Sequence, residues 1–301
     1  MTQKKFLRTF RSQHISDQLF DIFNHLVLVL LTLSILYPLY FIIIASFSDP
    51  VAINNGKVLF KPVGFNTLGY QRIFENTKIW IAYGNTIFYT VFGTLINVSL
   101  TMMLAYPLSR ARFFARPLIF VMVMFTMYFQ GGLIPTFLWI NKLGFYNTRF
   151  VMLLLPAINV FNLIIATNFI RSNIPEELYE AASIDGYSHI NYFLRIVIPL
   201  SQTIIVVLIL YYGVSHWNEF MNGLIYLRDE KFYPLQLVLR AILLQAQATG
   251  LGDVDSIIEQ QKAAELIKYG TIIVSTLPVL AVYPFLQKHF TKFVMAGSVK
   301  G

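Results

Sequence analysis

Long runs without a charged residue dominate this chain. Six such windows lie between consecutive charged residues, at 22–48, 79–109, 117–141, 150–170, 196–218 and 269–287. About 20 apolar helical residues, each rising 1.5 Å, cross a hydrocarbon core of about 30 Å. Each window reaches or nearly reaches that length, and none shows the polar face that a helix of a soluble bundle requires. We therefore predict an all-α integral membrane protein with six membrane-spanning helices, at approximately 22–46, 82–106, 117–138, 150–170, 198–221 and 268–287.

The composition supports a membrane protein and excludes the chemistry that depends on cysteine. Of the 301 residues, 56% are hydrophobic and 13% are charged, and the mean hydropathy is +0.61. The first apolar window is longer than the core of a cleaved signal peptide, which is about 7–15 residues, so we keep it as the first span. The chain has no cysteine, which excludes disulfides and thiolate metal sites.

Basic residues cluster at three places and predict the orientation. They precede the first span, fill the short loop between the second and third spans, and follow the sixth span. These residues are Lys4, Lys5, Arg8, Arg11, Arg110, Arg112, Arg116, Lys288, Lys292 and Lys300. Short basic loops stay in the cytoplasm. The basic N-terminal arm (residues 1–20), the C-terminal tail (290–301) and the loop between spans 4 and 5 are thus predicted to be cytoplasmic, flanking a six-helix domain at 21–289.

Two local motifs predict departures from straight spans. In "YFQGGLIP" the residues Gly131, Gly132 and Pro135 predict a break in span 3, which a membrane tolerates only where the backbone is buried in protein or lines a cavity. In "IPEELYEAASIDGY" Pro175 suits a first helical position and Gly186 suits a helix end. This second motif predicts a short cytoplasmic helix at 175–186. On the residues alone, it is either a solvated connector or a docking surface.

The acidic segment also carries a family resemblance. "EAASIDG", nine further residues and "IVIP" resemble the Glu-Ala-Ala loop of ABC importer permeases. The matching positions are Glu180, Ala181, Ala182, Gly186, Ile196, Ile198 and Pro199. "MYFQGGLIPTFLWINKLGFYNTRF", "SHWNEFMNGLIYL" and the tail "YPFLQKHF…MAGSVKG" extend the resemblance to the LplC-like branch of the carbohydrate-uptake (maltose-type) permeases over residues 20–301. Thr203 stands where that family often has proline, which predicts a straighter start to span 5.

The resemblance implies a type I ABC importer permease whose helix 175–186 is a coupling helix. That helix would dock on a cytoplasmic ATPase subunit, with Glu180 paired to a basic residue of the ATPase and the two alanines allowing close packing. The implied coupling residues are Glu177, Glu180, Ala181, Ala182, Asp185 and Gly186. The implied partners are a homologous second permease, two ATPase subunits, an extracytoplasmic solute-binding protein, and a sugar or oligosaccharide, including acidic ones such as alginate or pectin fragments. The chain would not be an enzyme and would hold no cofactor, since ATP and Mg would be bound by the ATPases.

Polar residues within spans are candidates for the transport path, because such residues are expensive in a membrane. Aromatic faces stack on sugar rings, and amides and hydroxyls bind sugar hydroxyls. The candidates are Tyr128, Gln130, Asn159, Asn162, Tyr211, Ser215, Trp217, Asn218, Glu219 and Asn222, of which Tyr211, Ser215, Asn218 and Asn222 would share one stripe of a helix. Hydrogen bonding between helices is the alternative explanation for each residue.

Two other functions are weighed against the importer. An ion-coupled secondary sugar transporter would use Glu219 and His216 as a proton relay, but such folds have inverted repeats and the sequence shows none. A membrane enzyme would use the acidic pair Asp253 and Asp255, where a polar turn is the simpler interpretation. The sequence contains no Gly-x4-Gly-Lys-Ser/Thr phosphate loop, so it cannot bind ATP in that manner.

Overall fold

The computed structural model describes residues 15–155, 157–248, 265, 267–281 and 284. All regular elements in these residues are helical. The helices are α1 Ile15–Ser46, α2 Pro50–Asn54, α3 Leu68–Glu75, α4 Thr77–Ser109, α5 Arg116–Tyr128, α6 Leu133–Lys142, α7 Arg149–Leu154, α8 Val160–Asn173, α9 Glu176–Ile184, α10 His189–Leu200, α11 Gln202–Trp217, α12 Met221–Tyr226, α13 Leu235–Ala248 and α14 Ile267–Ala281. A 3-10 turn spans Glu230–Phe232.

Among the helices of the described residues, two are long and apolar enough to cross a membrane unbroken. They are Asp17–Ser46 within α1, with mean hydropathy 2.6, and α4, with mean hydropathy 1.7. The pairs α5–α6 and α10–α11 would each make one further crossing, bent by 116° and 80°. The remaining two predicted spans correspond to the short helices α7 and α8, and to α14. The count of six spans stays a prediction.

The predicted break in span 3 is confirmed. Helix α5 ends at Tyr128, and Gly132 has a φ of 83° immediately before α6 begins. That left-handed backbone favours glycine, because a Cβ would be strained there. Pro135 lies in the first turn of α6, where its missing N–H has no helical partner to lose. The glycines therefore make the break and Pro135 starts the next helix.

The expectation of a straight start to span 5 is wrong. Helix α10 contains a π-helical turn at Phe193–Val197, and it meets α11 at an 80° bend. Ser201 joins the two helices with φ −95° and ψ 12°. Pro199 lacks the N–H that would continue the helical ladder. The bend is thus made before Thr203 is reached.

The described residues divide into two compact units. The first comprises residues up to 72 with those of 249–273, and Ile44, Ala52 and Val58 form a buried cluster in it. In the second, comprising 73–248 with the residues from 274 onward, α4 packs with α8, α9, α10 and α11 around one core. The α4 helix contributes Val98, Met102, Ala105 and Leu108 to that core, which is the spacing of one helical face.

The loop after α12 is tied to two earlier parts of the second unit. Asn147 has a left-handed φ of 57°, and its side-chain oxygen accepts the backbone N–H groups of Arg228 at 2.9 Å and Asp229 at 3.0 Å. The hydroxyl of Tyr89 on α4 donates to the carbonyl of Phe232 at 2.8 Å. The loop backbone is therefore held by side chains distant in sequence.

Several predicted segments lie outside the described residues. They are most of the N-terminal arm, the Asp253–Asp255 pair, the last part of the sixth predicted span and the tail 290–301.

Candidate coupling helix and transport path

The acidic segment forms the short helix that the sequence predicts. Helix α9 covers Glu176–Ile184, and Pro175 is the extended residue before it rather than its first helical residue. Gly186 has a φ of 81°, and the N–H of Tyr187 bonds the carbonyl of Ala182 at 2.9 Å. The helix thus ends on the left-handed glycine, as such caps do.

One side of α9 is built into the chain's own core. Ala182 is 5% exposed and lies in the cluster that contains Ile174 and Tyr192. The sequence assigned both alanines of the motif to close packing with a partner. In the structure Ala181 is exposed and Ala182 faces inward, because a helix turns successive residues by about 100°.

Arg110, which follows α4 directly, contacts two residues of α9 in the same chain. Its guanidinium carbon lies 4.1 Å from the ring centre of Tyr179, 5.6 Å from that of Tyr192 and 5.9 Å from that of Tyr106. Its Nη2 atom lies 3.2 Å from Oε1 of Glu176. Three aromatic rings and a carboxylate thus surround the Arg110 guanidinium. In the sequence, Arg110 served only as one of the basic residues that predict the orientation.

Glu180 has a partner within the chain. Its Oε1 lies 2.7 Å from Nη2 of Arg112, and both side chains are substantially exposed. The sequence had expected a basic residue of another protein here. Exposed ion pairs contribute about 0–1 kcal/mol, so the pair of Glu180 with Arg112 adds little to stability.

The outward face of α9 is uncovered. Glu177, Ala181 and Ile184 follow one another at helical spacing, and Ile184 is 87% exposed. Leu178 is 41% exposed beside them, and Asp185 is exposed at the end of the helix. Leu178 and Ile184 were not predicted as part of this exposed face. The signal was available, because both are large apolar residues in a short acidic helix.

Buried polar and small residues recur every four positions along α4. These residues are Asn85, Tyr89, Gly93, Asn97 and Thr101, all buried. They form a stripe down one side of the helix. The expectation that the apolar windows lack polar faces is therefore wrong for this helix, and the i, i+4 spacing was the signal that could have revealed it.

The middle of this stripe holds a buried histidine of α11. Nε2 of His216 lies 2.6 Å from Oδ1 of Asn97, and the amide of Asn97 donates to the carbonyl of Ala157 at 2.7 Å. A Cβ on Gly93 would lie 2.5 Å from the His216 ring. The ring thus occupies space that only glycine leaves open.

One turn further along, Tyr212 joins three helices. Its hydroxyl lies 2.7 Å from Oγ1 of Thr101 on α4 and accepts the backbone N–H of Asn159, just before α8, at 3.0 Å. These bonds link α4 and α11 to the chain just before α8. For His216 and Tyr212, hydrogen bonding between helices is the role that the structure gives.

The predicted path residues fall into two groups. Exposed are Tyr128, Gln130, Asn159, Tyr211, Ser215 and Asn218. The remaining four are buried or half-buried: Asn162 is buried, Trp217 donates its indole N–H to the carbonyl of Ser275 at 3.0 Å, and Glu219 accepts the backbone N–H of Asn222 at 2.9 Å. The expected stripe through residue 222 is wrong, because α11 ends at Trp217.

Two large recesses adjoin these residues. A groove of about 1230 Å³ runs beside α4 and α11, with apolar walls except for a few groups such as Thr94 and Tyr211. A second cavity of about 940 Å³ lies beside α9 and is lined by residues that include Tyr106, Arg110 and Tyr179. A sugar site needs convergent polar groups, so the apolar groove is unsuited to holding a sugar by itself.

Comparison with known proteins agrees with this architecture. No family model matches the chain. It is 38% identical over 286 residues to Protein LplC of Bacillus subtilis (strain 168), covering 95% of this chain and 96% of that protein. The polygalacturonan/rhamnogalacturonan transport system permease protein YtcP of the same organism is also 38% identical, over 95% of this chain and 99% of YtcP. The crystal structure of a bacterial ABC transporter involved in the import of the acidic polysaccharide alginate matches with a TM-score of 0.83 and 32% identity, over 92% of this chain and 99% of that one.

Within the described residues, the all-helical fold with long apolar helices and buried polar contacts between them is consistent with a membrane permease. The sequence identity of 32–38% over more than nine-tenths of the chain then shows which kind of permease it is. The chain belongs to the family of sugar ABC importer permeases. Permease subunits of such transporters are not catalytic.

Proposed function

We propose that this chain carries an oligosaccharide into the cytoplasm by alternating access, driven by separate ATPase subunits. It would pair with a homologous second permease and receive its substrate from an extracytoplasmic solute-binding protein. Both termini and α9 would lie in the cytoplasm of a bacterial cell, with the chain in the inner membrane. Family membership supports these partners, and the chain itself lacks a phosphate loop.

The observation that carries the proposal is the two-sided character of α9. Ala182 packs it into the core of its own chain, while Ala181 and Ile184 on the other side remain uncovered. A helix that is fixed on one side and offers a small and an apolar residue on the other can be pushed by a partner without being detached. Glu177 and Asp185 flank this face and would meet basic groups of the ATPase.

Replacing Ala181 by tryptophan tests this proposal. The new side chain would project from the exposed face and prevent close approach of a partner, while the inward contacts of Ala182 stay intact. We expect Ala181→Trp to lose copurification of the ATPase subunits and substrate-stimulated ATP hydrolysis, whereas Ala181→Ser, which stays small, retains both. Full copurification and hydrolysis with Ala181→Trp would show that α9 is not the coupling helix.

We further propose that the substrate is an acidic oligosaccharide. The names of two similar proteins concern acidic polysaccharides, polygalacturonan or rhamnogalacturonan in one case and alginate in the other. Lys57, Lys61, Arg72 and Arg228 are exposed in segments that the predicted orientation places outside the membrane. The exposed path residues would then line the route together with the second permease.

Matched oligosaccharides separate the acidic from the neutral case. The complete transporter with its binding protein, in proteoliposomes, would be given oligogalacturonides or neutral galacto-oligosaccharides of equal length. We expect only the uronic series to stimulate ATP hydrolysis and to accumulate inside. Stimulation by the neutral series alone would refute an acidic substrate and leave the importer function standing.

A further inference from the structure

The main chain on either side of α9 is not helical. Ile174 and Pro175 before it are extended, with ψ of 94° and 154°, and Gly186 after it is left-handed. Rotation at these joints changes the direction of α9 without bending a helix. A displacement of α9 must therefore reach the spans mainly through side-chain contacts.

Arg110 is firmly attached to the end of α4. Its backbone N–H bonds the carbonyl of Pro107 at 3.1 Å, and its carbonyl accepts the N–H of Phe113 at 3.4 Å. Its side chain is 12% exposed, in contrast to 73% for Arg112. The guanidinium thus moves with α4 and is largely shielded from water.

The contact between this guanidinium and α9 is mainly one of stacking. The pair with Glu176 is close at 3.2 Å but lacks hydrogen-bond alignment, whereas the face of Tyr179 lies 4.1 Å away. Tyr179 is itself held by His189, through a 3.1 Å contact of its hydroxyl with Nε2 and nearly parallel rings 5.2 Å apart. Arginine suits such a site because its guanidinium is planar, while the ammonium of lysine is a hydrated point charge.

We propose that Arg110 is a positioning residue that fixes α9 to the end of α4, so that a push on α9 moves α4 directly. From α4 the movement reaches α11 through the bonds of Asn97 with His216 and of Thr101 with Tyr212. This inference rests on the proposed function of α9 as the coupling helix. It adds the residue through which the force leaves that helix.

The test compares Arg110→Lys and Arg110→Met with Arg171→Lys and Arg171→Met, since Arg171 is an exposed arginine at the end of α8. Assembled transporter is reconstituted, and substrate uptake is divided by ATP hydrolysed. Loss of a shielded cation–π contact corresponds to about a fivefold fall in this ratio for Arg110→Met, and Arg110→Lys, which keeps the charge but loses the planar guanidinium, should show a smaller fall. The Arg171 variants are expected to stay within about twofold of the parent, as surface substitutions do.

A merely structural role would lower uptake and hydrolysis in proportion, with a normal ratio. A normal ratio in assembled Arg110 variants therefore overturns the inference. Should those variants fail to assemble, Tyr179→Phe and Tyr179→Leu decide, because phenylalanine keeps the ring over Arg110 and leucine does not. Equal ratios for these two variants also overturn it.

A measurement independent of transport uses the absence of cysteine. Spin labels on cysteines placed at the exposed positions Ala111 and Ser183 report the distance between the end of α4 and α9. We expect the same distance with and without ATP in the parent, and two different distances in Arg110→Met. A parent distance that changes with ATP refutes the rigid link. Normal coupling ratios in the Arg110 variants refute only this inference. Undisturbed ATPase docking in Ala181→Trp refutes the proposed coupling role of α9.

Discussion

Gly93 offers a sharp test of how α4 and α11 pack. A Cβ at this position would lie 2.5 Å from both Cε1 and Nε2 of His216, which is far inside van der Waals contact. The same helix contains Gly84, where a Cβ would meet nothing within 4 Å. Gly93→Ala and Gly84→Ala therefore form a matched pair that differs in one neighbour.

The size of the effect follows from two terms. Alanine in place of glycine inside a helix stabilises by about 0.5–1 kcal/mol, and this gain is common to both variants. Only Gly93→Ala must also displace a ring that is 7% exposed, an overpacking that costs about 1–3 kcal/mol. The displacement breaks the 2.6 Å contact of His216 with Asn97, and such bonds between membrane helices contribute about 0.6–1.7 kcal/mol. We expect Gly93→Ala to be about 2–4 kcal/mol less stable than Gly84→Ala.

Thermal unfolding of the purified protein in one detergent measures this difference. The apparent Tm of Gly93→Ala should lie roughly 5–10 °C below that of Gly84→Ala. Repeating both substitutions in a His216→Ala background closes a double-mutant cycle, in which the penalty at Gly93 should vanish because the ring is gone. Equal Tm values for the two alanine variants, or a penalty that persists without His216, would refute the packing argument.

Three further predictions concern the cap of α9 and the loop after α12. Gly186→Ala places a side chain at a φ of 81°, which costs about 1–2 kcal/mol, so its thermal unfolding should begin at a lower temperature than that of the parent. Asn147→Ala removes the acceptor for two backbone N–H groups and is strained at a φ of 57°; limited proteolysis should cut near Arg228 faster than in the parent, whereas Asn147→Asp, which keeps the acceptor, should resist. Side-chain hydrogen bonds with Asn147 and Lys231 hold the pKa of Asp229 below its usual 3.8. The stability that the Asp229 carboxylate adds to the loop is therefore present above pH 3.8 and is lost as the pH falls below it. The hydrogen-exchange protection factors of this loop, taken relative to the intrinsic rate at each pH, should therefore stay constant down to about pH 4 and fall below it, and Asp229→Asn should abolish the change.

Local features were predicted well from sequence because their causes are local. The break after Tyr128 depends on adjacent glycines, and the end of α9 depends on Gly186. The bend at Ser201 was mispredicted because the prediction rested on Thr203, where the family often has proline. Pro199 and a π-helical turn interrupt the helix before that position.

Long-range contacts account for most of what sequence reasoning missed. Arg110 was counted as one of several positive charges, yet its neighbours come from α9 and α10 as well as from its own helix. His216 was a proton carrier only in the alternative of a secondary transporter, and the sequence could not identify its hydrogen-bond partner Asn97, which lies 119 residues away. Asn162 was a path candidate although it is buried, because a polar group in an apolar window has the same appearance in sequence whether it faces a cavity or another helix.

The polar stripe of α4 holds this helix to α11, which forms the other side of the apolar groove. Apolar side chains give little reason for two helices to associate within lipid, so hydrogen bonds and close backbone approach fix their register. On α4 these contacts lie at Gly93, Asn97 and Thr101, and they are directed to α11 and to the chain just before α8. Movement of α4 relative to α11 would break several buried bonds at once, so the two helices are expected to move as one body. Under the proposed function, substrate passage would then require motion between this body and the proposed second permease, and the exposed residues Tyr211 and Ser215 on α11 are candidates to lie at the moving boundary.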